Sequence, residues 1–184
     1  MNSRRVSWCV ALLAFVWQGC AAPIVPTRSK PGGSARWAEA IATAEAYNWQ
    51  TDATLCRITG AGIGADGWLP DRGGQWALAF WSANSKDMFE VTIDSDGNAR
   101  GGTIPAIPQR GSRLPSDWLD SPKVWAATRS HQKQDAVHTL DAELSAGAAP
   151  EHPGDVVWRI RFWLPDNSFE IHDVSASGRW LEMH

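Results

Sequence analysis

The chain has 184 residues, with 17 Lys and Arg against 20 Asp and Glu and a formal net charge of −3. No basic cluster stands out against that balance, which argues against nucleic acid or an anionic membrane surface as a partner. Its three cysteines, Cys9, Cys20 and Cys56, are too few to build a disulfide framework.

The first segment reads as an address. Arg4 and Arg5 precede an uncharged apolar run of nine residues, Cys9 to Trp17. A helix of that length cannot span roughly 30 Å of hydrocarbon. Residues 1–19 therefore have the pattern of a cleaved export signal. The run closes on Trp17-Gln18-Gly19-Cys20, which resembles a bacterial lipobox. The resemblance makes Cys20 the lipidated first residue of the mature chain, with the small Gly19 before it. Trp17 stands where that signal usually has Leu, and Gln18 is uncommon there, so ordinary cleavage near Ala22 is the alternative. Ala21 in place of Asp implies, by the same resemblance, an anchor in the outer membrane, facing the periplasm or the cell surface. Residues 20–35, rich in Pro, Gly and Ser, read as the lipid attachment point and a flexible tether. Cys56 sits in an apolar strand pattern and reads as a buried, inert thiol. If Cys20 carries no lipid, a Cys20–Cys56 bridge or a dimer stays open.

The mature part suits one compact domain or two packed halves. Ser34–Gln50 predicts a helix, with Ser34 as N-cap and Trp37, Ile41, Ala44 and Tyr47 at helical spacing. A short strand, Thr54–Ile58, follows. Gly62-Ile63-Gly64-Ala65-Asp66-Gly67 formally matches GxGxxG, but Trp68-Leu69-Pro70 cannot start the helix that would hold a pyrophosphate. A surface loop is expected there, and no cofactor. Strands come next at Trp76–Trp81 and Phe89–Asp94. Asp94-Ser95-Asp96-Gly97-Asn98 resembles half a calcium loop without its closing Glu, so a hairpin-type turn is expected. Residues 105–119 read as a linker. Asp120-Ser121-Pro122 then gives a cap and a Pro in the first turn of a helix running from about Lys123 to Gln134. Strands follow at Thr139–Leu144, Trp158–Trp163 and Phe169–Val174.

The two series are alike. Trp76-Ala77-Leu78-Ala79-Phe80-Trp81 and Trp158-Arg159-Ile160-Arg161-Phe162-Trp163 share W-x-[LI]-x-F-W. Phe89-Glu90-Val91 and Phe169-Glu170-Ile171 share F-E-[VI], and each copy ends near a glycine, Gly97 or Gly178. The expected fold is α+β: two α-β-β-β repeats, at 36–104 and 120–184, forming an antiparallel sheet with both helices on one face. One helix followed by a three-stranded meander resembles the PepSY-like domain, and the tandem looks cystatin-like. The resemblance covers roughly residues 35 to 184. It implies a part in inhibiting or chaperoning peptidases, or in envelope signalling, and brings no catalytic residues.

No enzyme is read from the sequence. His131, His138, His152, His172 and His184 form no HxxxH or HExxH pair, no cysteine joins them at zinc spacing, and G-x-S-x-G is absent. No metal is expected. Strand alternation puts Trp76, Leu78, Phe80, Phe89, Val91 and Ile93 on one face, with Trp158, Ile160, Phe162, Phe169 and Ile171 as counterparts. The opposite face then carries Trp81, Glu90 and Thr92 in one half, and Arg159, Arg161, Trp163, Glu170 and His172 in the other. Trp81, Arg159, Arg161, Trp163, Glu170 and His172 form the candidate surface for another envelope protein or a peptide, since Trp and Arg often dominate interface affinity. The two arginines point to an acidic partner. The alternative is a glycan or cell-wall module that uses exposed Trp.

Overall fold

The structure is a computed structural model that describes residues 33–181. The export signal at 1–19, Cys20 and the tether up to residue 32 lie outside the described residues. In chain order the elements are α1 (Ala35–Trp49), β1 (Thr54–Gly64), β2 (Gln75–Trp81), β3 (Met88–Asp94), β4 (Ala99–Ile104), α2 (Ser121–Thr128), a 3-10 turn (Arg129–His131), β5 (His138–Ser145), β6 (Val157–Trp163), β7 (Phe169–Ser175) and β8 (Trp180–Leu181). All eight strands join one antiparallel sheet in the order β4-β3-β2-β1-β5-β6-β7-β8. From the central β1–β5 pair, each half steps outwards in chain order. Both helices pack on one face over the main core. Among the described residues, no helix is long and apolar enough to cross a membrane.

Each half has one strand more than expected. The turn at Gly97 (φ 86) leads into β4, and the turn at Gly178 (φ 91) into β8. The turns are alike in their bonds. Gly97 donates to the Asp94 carbonyl and Gly178 to that of Ser175. The Asp94 side chain accepts from the Asn98 N–H, and the Ser175 hydroxyl from that of Arg179. β4 was hard to foresee because Ala99-Arg100-Gly101-Gly102 has little strand propensity. It is held by its register against β3, from Ile93↔Ala99 to Met88↔Ile104.

α1 begins where its first four N–H groups all find acceptors. Ala35 donates to Ser121 Oγ (3.0 Å), Arg36 to Asp120 Oδ1 (2.9 Å), Trp37 to Ser34 Oγ (3.2 Å) and Ala38 to the Ser34 carbonyl (3.0 Å). Asp120 also caps α2 through the Ser121 N–H. The two helix starts therefore share one cap, which removes orphan donors from both. The buried stripe of α1 is Ala35, Ala38, Ala42 and Ala46. Ala44 and Tyr47, expected on the apolar face, are exposed. Small residues face the sheet because the sheet supplies the bulk, while Trp49 stacks flat on Phe89 at the side (centroids 5.3 Å apart).

That bulk is largely indole. Trp76, Trp125 and Trp158 are fully buried and meet edge to face, with centroids 5.6–6.4 Å apart; Trp118 packs on Trp158 at 5.9 Å. Each of the three central N–H groups has an acceptor: Gly33 O for Trp76, Thr139 Oγ1 for Trp125 and Leu119 O for Trp158. Two boundaries change as a result. Gly33 to Ala35, assigned to the tether, belong to the fold, because the Gly33 carbonyl receives both Trp76 Nε1 and the Leu69 N–H. Residues 105–119 are a packed strap and not a linker: Leu114 and Trp118 are buried, Leu114 donates to the Leu55 carbonyl and Leu119 to that of Ala176. Further along the chain, β1 runs on to Gly64, so the first half of the GxGxxG stretch is strand and the turn is Ala65-Asp66, closed by the Gly67 N–H on the Gly64 carbonyl. α2 ends at Thr128, short of the expected Gln134.

Two substitutions test this account. Asp120→Ala removes an acceptor from both helix starts, and a loss of about 1–2 kcal/mol is expected from urea unfolding. A loss below a few tenths would mean that the shared cap is not supporting both helices. At Gly60 a Cβ would stand 2.5 Å from the ring of the buried Trp76. Gly60→Ala should cost about 1–3 kcal/mol by overpacking and weaken near-UV circular dichroism; an unchanged signal would contradict the Trp76 packing.

Candidate partner-binding face

The face of the sheet away from the helices carries Trp81, Arg159, Arg161 and Trp163, as expected, together with Glu90 and Thr92. It does not gather them into one site. Trp81 pairs with Thr54 at the start of β1, whereas Trp163 pairs with His138, which pairs with Gly64 at the end of β1. The 11 residues from Thr54 to Gly64 span roughly 33 Å. The two tryptophans therefore mark opposite ends of the sheet. A shallow cavity of about 300 Å³ lies between them, lined by small residues such as Thr59, Ala61 and Ala77 and bordered by Asp141, Glu143 and Arg159.

The two ends are built alike. A one-residue bulge at Cys56 lies opposite Ala79-Phe80, and another at Leu140 lies opposite Arg161-Phe162. At the first end the bulged Cys56 is buried with Ala79 and Met88. Trp81, Ile104 and Ile107 close over them. Burial pushes the Cys56 thiol up to about 12, which keeps it protonated and inert. Trp81 Nε1 is buried with no hydrogen-bond partner. Trp81 is thus a half-buried packing residue under the chain's own strap.

At the second end the patch is open. Trp163 is half-buried and lies beside the His138 ring (centroids 6.4 Å apart), and Phe169 is 54 % exposed. Leu140 and Ile171 are half-buried next to them. The Arg161 guanidinium lies 5.8 Å from the Phe169 ring and forms an ion pair with Asp141. Arg159 is engaged too: it bonds Glu151 at 3.1 Å, and its Nε lies 3.6 Å from Asp173 Oδ1. Both arginines thus already face carboxylates of this chain, which removes the argument for an acidic partner. Asp173 is fully buried, with no hydrogen bond to either carboxylate oxygen. Burial raises its carboxyl above the ordinary range, against the pull of Arg159.

Glu170 and His172 are on the other side. β6 and β7 pair as Trp163↔Phe169, Phe162↔Glu170, Ile160↔His172 and Trp158↔Val174, so Glu170 and His172 share the helix-side face with Phe162 and Ile160. Phe169 and Ile171, expected in the core row, face outwards. The cause is the turn. Asn167 in the left-handed region (φ 64) closes a short Leu164–Ser168 turn, while in the first half Phe80 pairs with Phe89 across a longer loop. A one-residue difference in register inverts every side chain of a strand. F-E-[VI] therefore lies with opposite faces in the two halves, and Phe169 occupies the position that Met88 holds in the first.

His172 is 3 % exposed, edge-on to Phe162 and Trp180, with Nε2 3.1 Å from Glu170 Oε2. Trp180 in turn stacks on His131 at 4.2 Å. A cavity of about 410 Å³ runs along this edge of β7, lined by Phe169, Glu170, Ile171 and His172 and bounded by His131, Lys133 and Trp180. Phe169, Ile171 and Leu140 were missed as surface residues; the signal was available in the unequal spacing from Trp81 to Phe89 and from Trp163 to Phe169.

Burial lowers the His172 pKa, against the pull of Glu170. The folded chain therefore holds that proton less tightly than the unfolded chain. Stability from this group is present above the ordinary histidine value and is lost as pH falls below about 6.5 and through the lowered folded value. Urea midpoints measured from about pH 7.5 to 5.5 should fall, and fall less in His172→Phe; parallel curves for the two proteins would rule the effect out.

No family model, curated protein or solved structure matches the chain.

Proposed function

We propose that the chain is a non-catalytic binding protein of the cell envelope, and that the open patch around Trp163 and Phe169 docks another protein or a peptide. The observation that carries this reading is the exposure of Phe169, 54 %, beside a half-buried Trp163, on a sheet whose other large apolar side chains are buried or half-buried. A large aromatic left in water beside a second one is the composition of an interface centre, with Arg161 and Asp141 as its polar border. The export signal and a lipid at Cys20 would hold this face at the membrane; that part rests on residues 1–20 as sequence.

The reading includes a common origin for the two halves. In its favour stand the shared W-x-[LI]-x-F-W strands, the bulges at Cys56 and Leu140, and the matching turns at Gly97 and Gly178. The PepSY-like resemblance, with its suggestion of a peptidase regulator or assembly factor, is retained as a proposal on the same footing. A glycan module has less in its favour, because stacking a sugar chain calls for neighbouring aromatic platforms and Trp81 and Trp163 stand at opposite ends of the sheet.

A photo-crosslinking amino acid at position 169 of the full-length chain, in cells, should give an adduct of defined mass. The same group at Tyr47, exposed on the helix side, should give none, and Trp163→Ala should reduce the position 169 adduct about tenfold, equivalent to roughly 1.4 kcal/mol of lost binding. Equal adducts from both positions, or none at 169, would refute the docking patch.

A further inference from the structure

The helix side of the sheet carries a cleft that the docking patch does not use. Beside its alanine stripe, α1 presents a second row, Arg36, Glu39, Thr43 and Tyr47, at steps of three or four residues. At about 1.5 Å per residue, that row runs roughly 16 Å along the helix. Opposite it stands the strap from Arg113 to Trp118, and the buried Phe80, Leu114 and Trp118 give the cleft an apolar floor. Its volume is about 490 Å³, within the roughly 300–1,000 Å³ of small-molecule sites.

Both ends of the cleft are held by the chain itself. At one end Arg36 bonds Glu39 (2.8 Å) and the carbonyls of Ser116 and Trp118, with its guanidinium 3.7 Å over the Trp118 ring, so it joins helix to strap. At the other, the Asp52 carboxylate accepts from the Ser82 hydroxyl (2.6 Å) and the Ala83 N–H (3.1 Å). Walls fixed in this way spare a ligand the cost of ordering them.

The lining selects a class of ligand. Its charges, Arg36 and Arg113 against Glu39 and Asp52, cancel, so an entering ion would lose water without a net field to replace it. The Arg113 guanidinium and the hydroxyls of Tyr47, Thr51 and Ser116 have no hydrogen-bond partner among the described residues. A ligand hydroxyl both donates and accepts, and so can answer a carboxylate and a guanidinium alike. Tyr47, 56 % exposed, adds a flat ring on which the apolar face of a sugar can lie. We infer that the cleft between α1 and the strap binds an uncharged saccharide of one or two rings, one ring lying on Tyr47 and its hydroxyls meeting Arg113, Ser116, Glu39 and Asp52. One ring needs one platform, so the separation of Trp81 and Trp163 does not bear on this site. The cleft lies across the sheet from Phe169 and is independent of the docking patch, and a ligand of this size gives no protein adduct at position 47.

An array of neutral and acidic mono- and oligosaccharides, probed with the labelled full-length chain, tests the class; titration calorimetry with the best neutral sugar on the array tests the place. Saturable binding to neutral sugars is expected. Tyr47→Ala and Arg113→Ala should each weaken it about tenfold, whereas Tyr47→Phe, which keeps the ring, should weaken it less than about threefold. Both positions are exposed, so the variants should fold. Phe169→Glu should leave sugar binding unchanged. Absence of saturable binding to any neutral sugar would overturn the proposal. Binding confined to acidic sugars and lost in Arg113→Ala would overturn the uncharged class and make the cleft an anion site. Neutral binding that survives both Tyr47→Ala and Arg113→Ala would place the sugar elsewhere and overturn the cleft.

Discussion

The fold depends on burying three indoles at one point without leaving an N–H unpaired. Trp76 comes from β2, Trp158 from β6 and Trp125 from α2, so their edge-to-face contacts tie the two halves of the sheet to a helix. Such contacts contribute about 0.5–1.5 kcal/mol per pair beyond the area buried. A buried N–H without an acceptor would cost about 1–3 kcal/mol. The acceptors explain much of the architecture: Gly33 must sit where α1 starts, Leu119 where the strap ends, and Thr139 on β5. Gly60 must be small for Trp76 to lie against β1. The alanine stripe of α1 follows from the same cause, because a helix facing bulky sheet residues is best packed with small ones.

The shared helix cap is the second constraint. Asp120 and Ser121, at the start of α2 where the strap ends, accept from donors of a helix more than eighty residues earlier in the chain. Residues 105–119 are therefore held at both ends and in the middle, which is why a stretch that reads as a linker is packed. The strap leaves β4, covers the Trp81 end of the outer face and crosses to the helix side, where Arg36 lies over Trp118 and bonds its carbonyl. By covering one apolar patch it creates the asymmetry between halves that otherwise share bulges, turns and strand order.

That asymmetry is where function is proposed. Equivalent positions carry different jobs: Ala79 in the first half is replaced by Arg161 in the second, and Met88 by Phe169. Larger and more polarisable groups stand in the half that has no cover of its own among the described residues. Arg161 spread over Phe169 and paired with Asp141 keeps the exposed ring in contact without closing the site.

The α+β class, the antiparallel sheet with helices on one face, Ser34 as cap and the faces of β2, β3 and β6 were legible in the residues, because each depends on local periodicity and local caps. Trp81, Arg159, Arg161 and Trp163 lie on the predicted face for that reason. Three things were not legible. β4 has almost no propensity and exists through its neighbour. The distance between Trp81 and Trp163 follows from β1 and β5 meeting antiparallel at the centre, which puts equivalent residues at opposite ends. The face of β7 was set by the length of one turn, so Glu170 and His172 went inwards and Phe169 and Ile171 outwards. Alternation along a strand tells which residues share a side; only the register with the next strand decides which side that is.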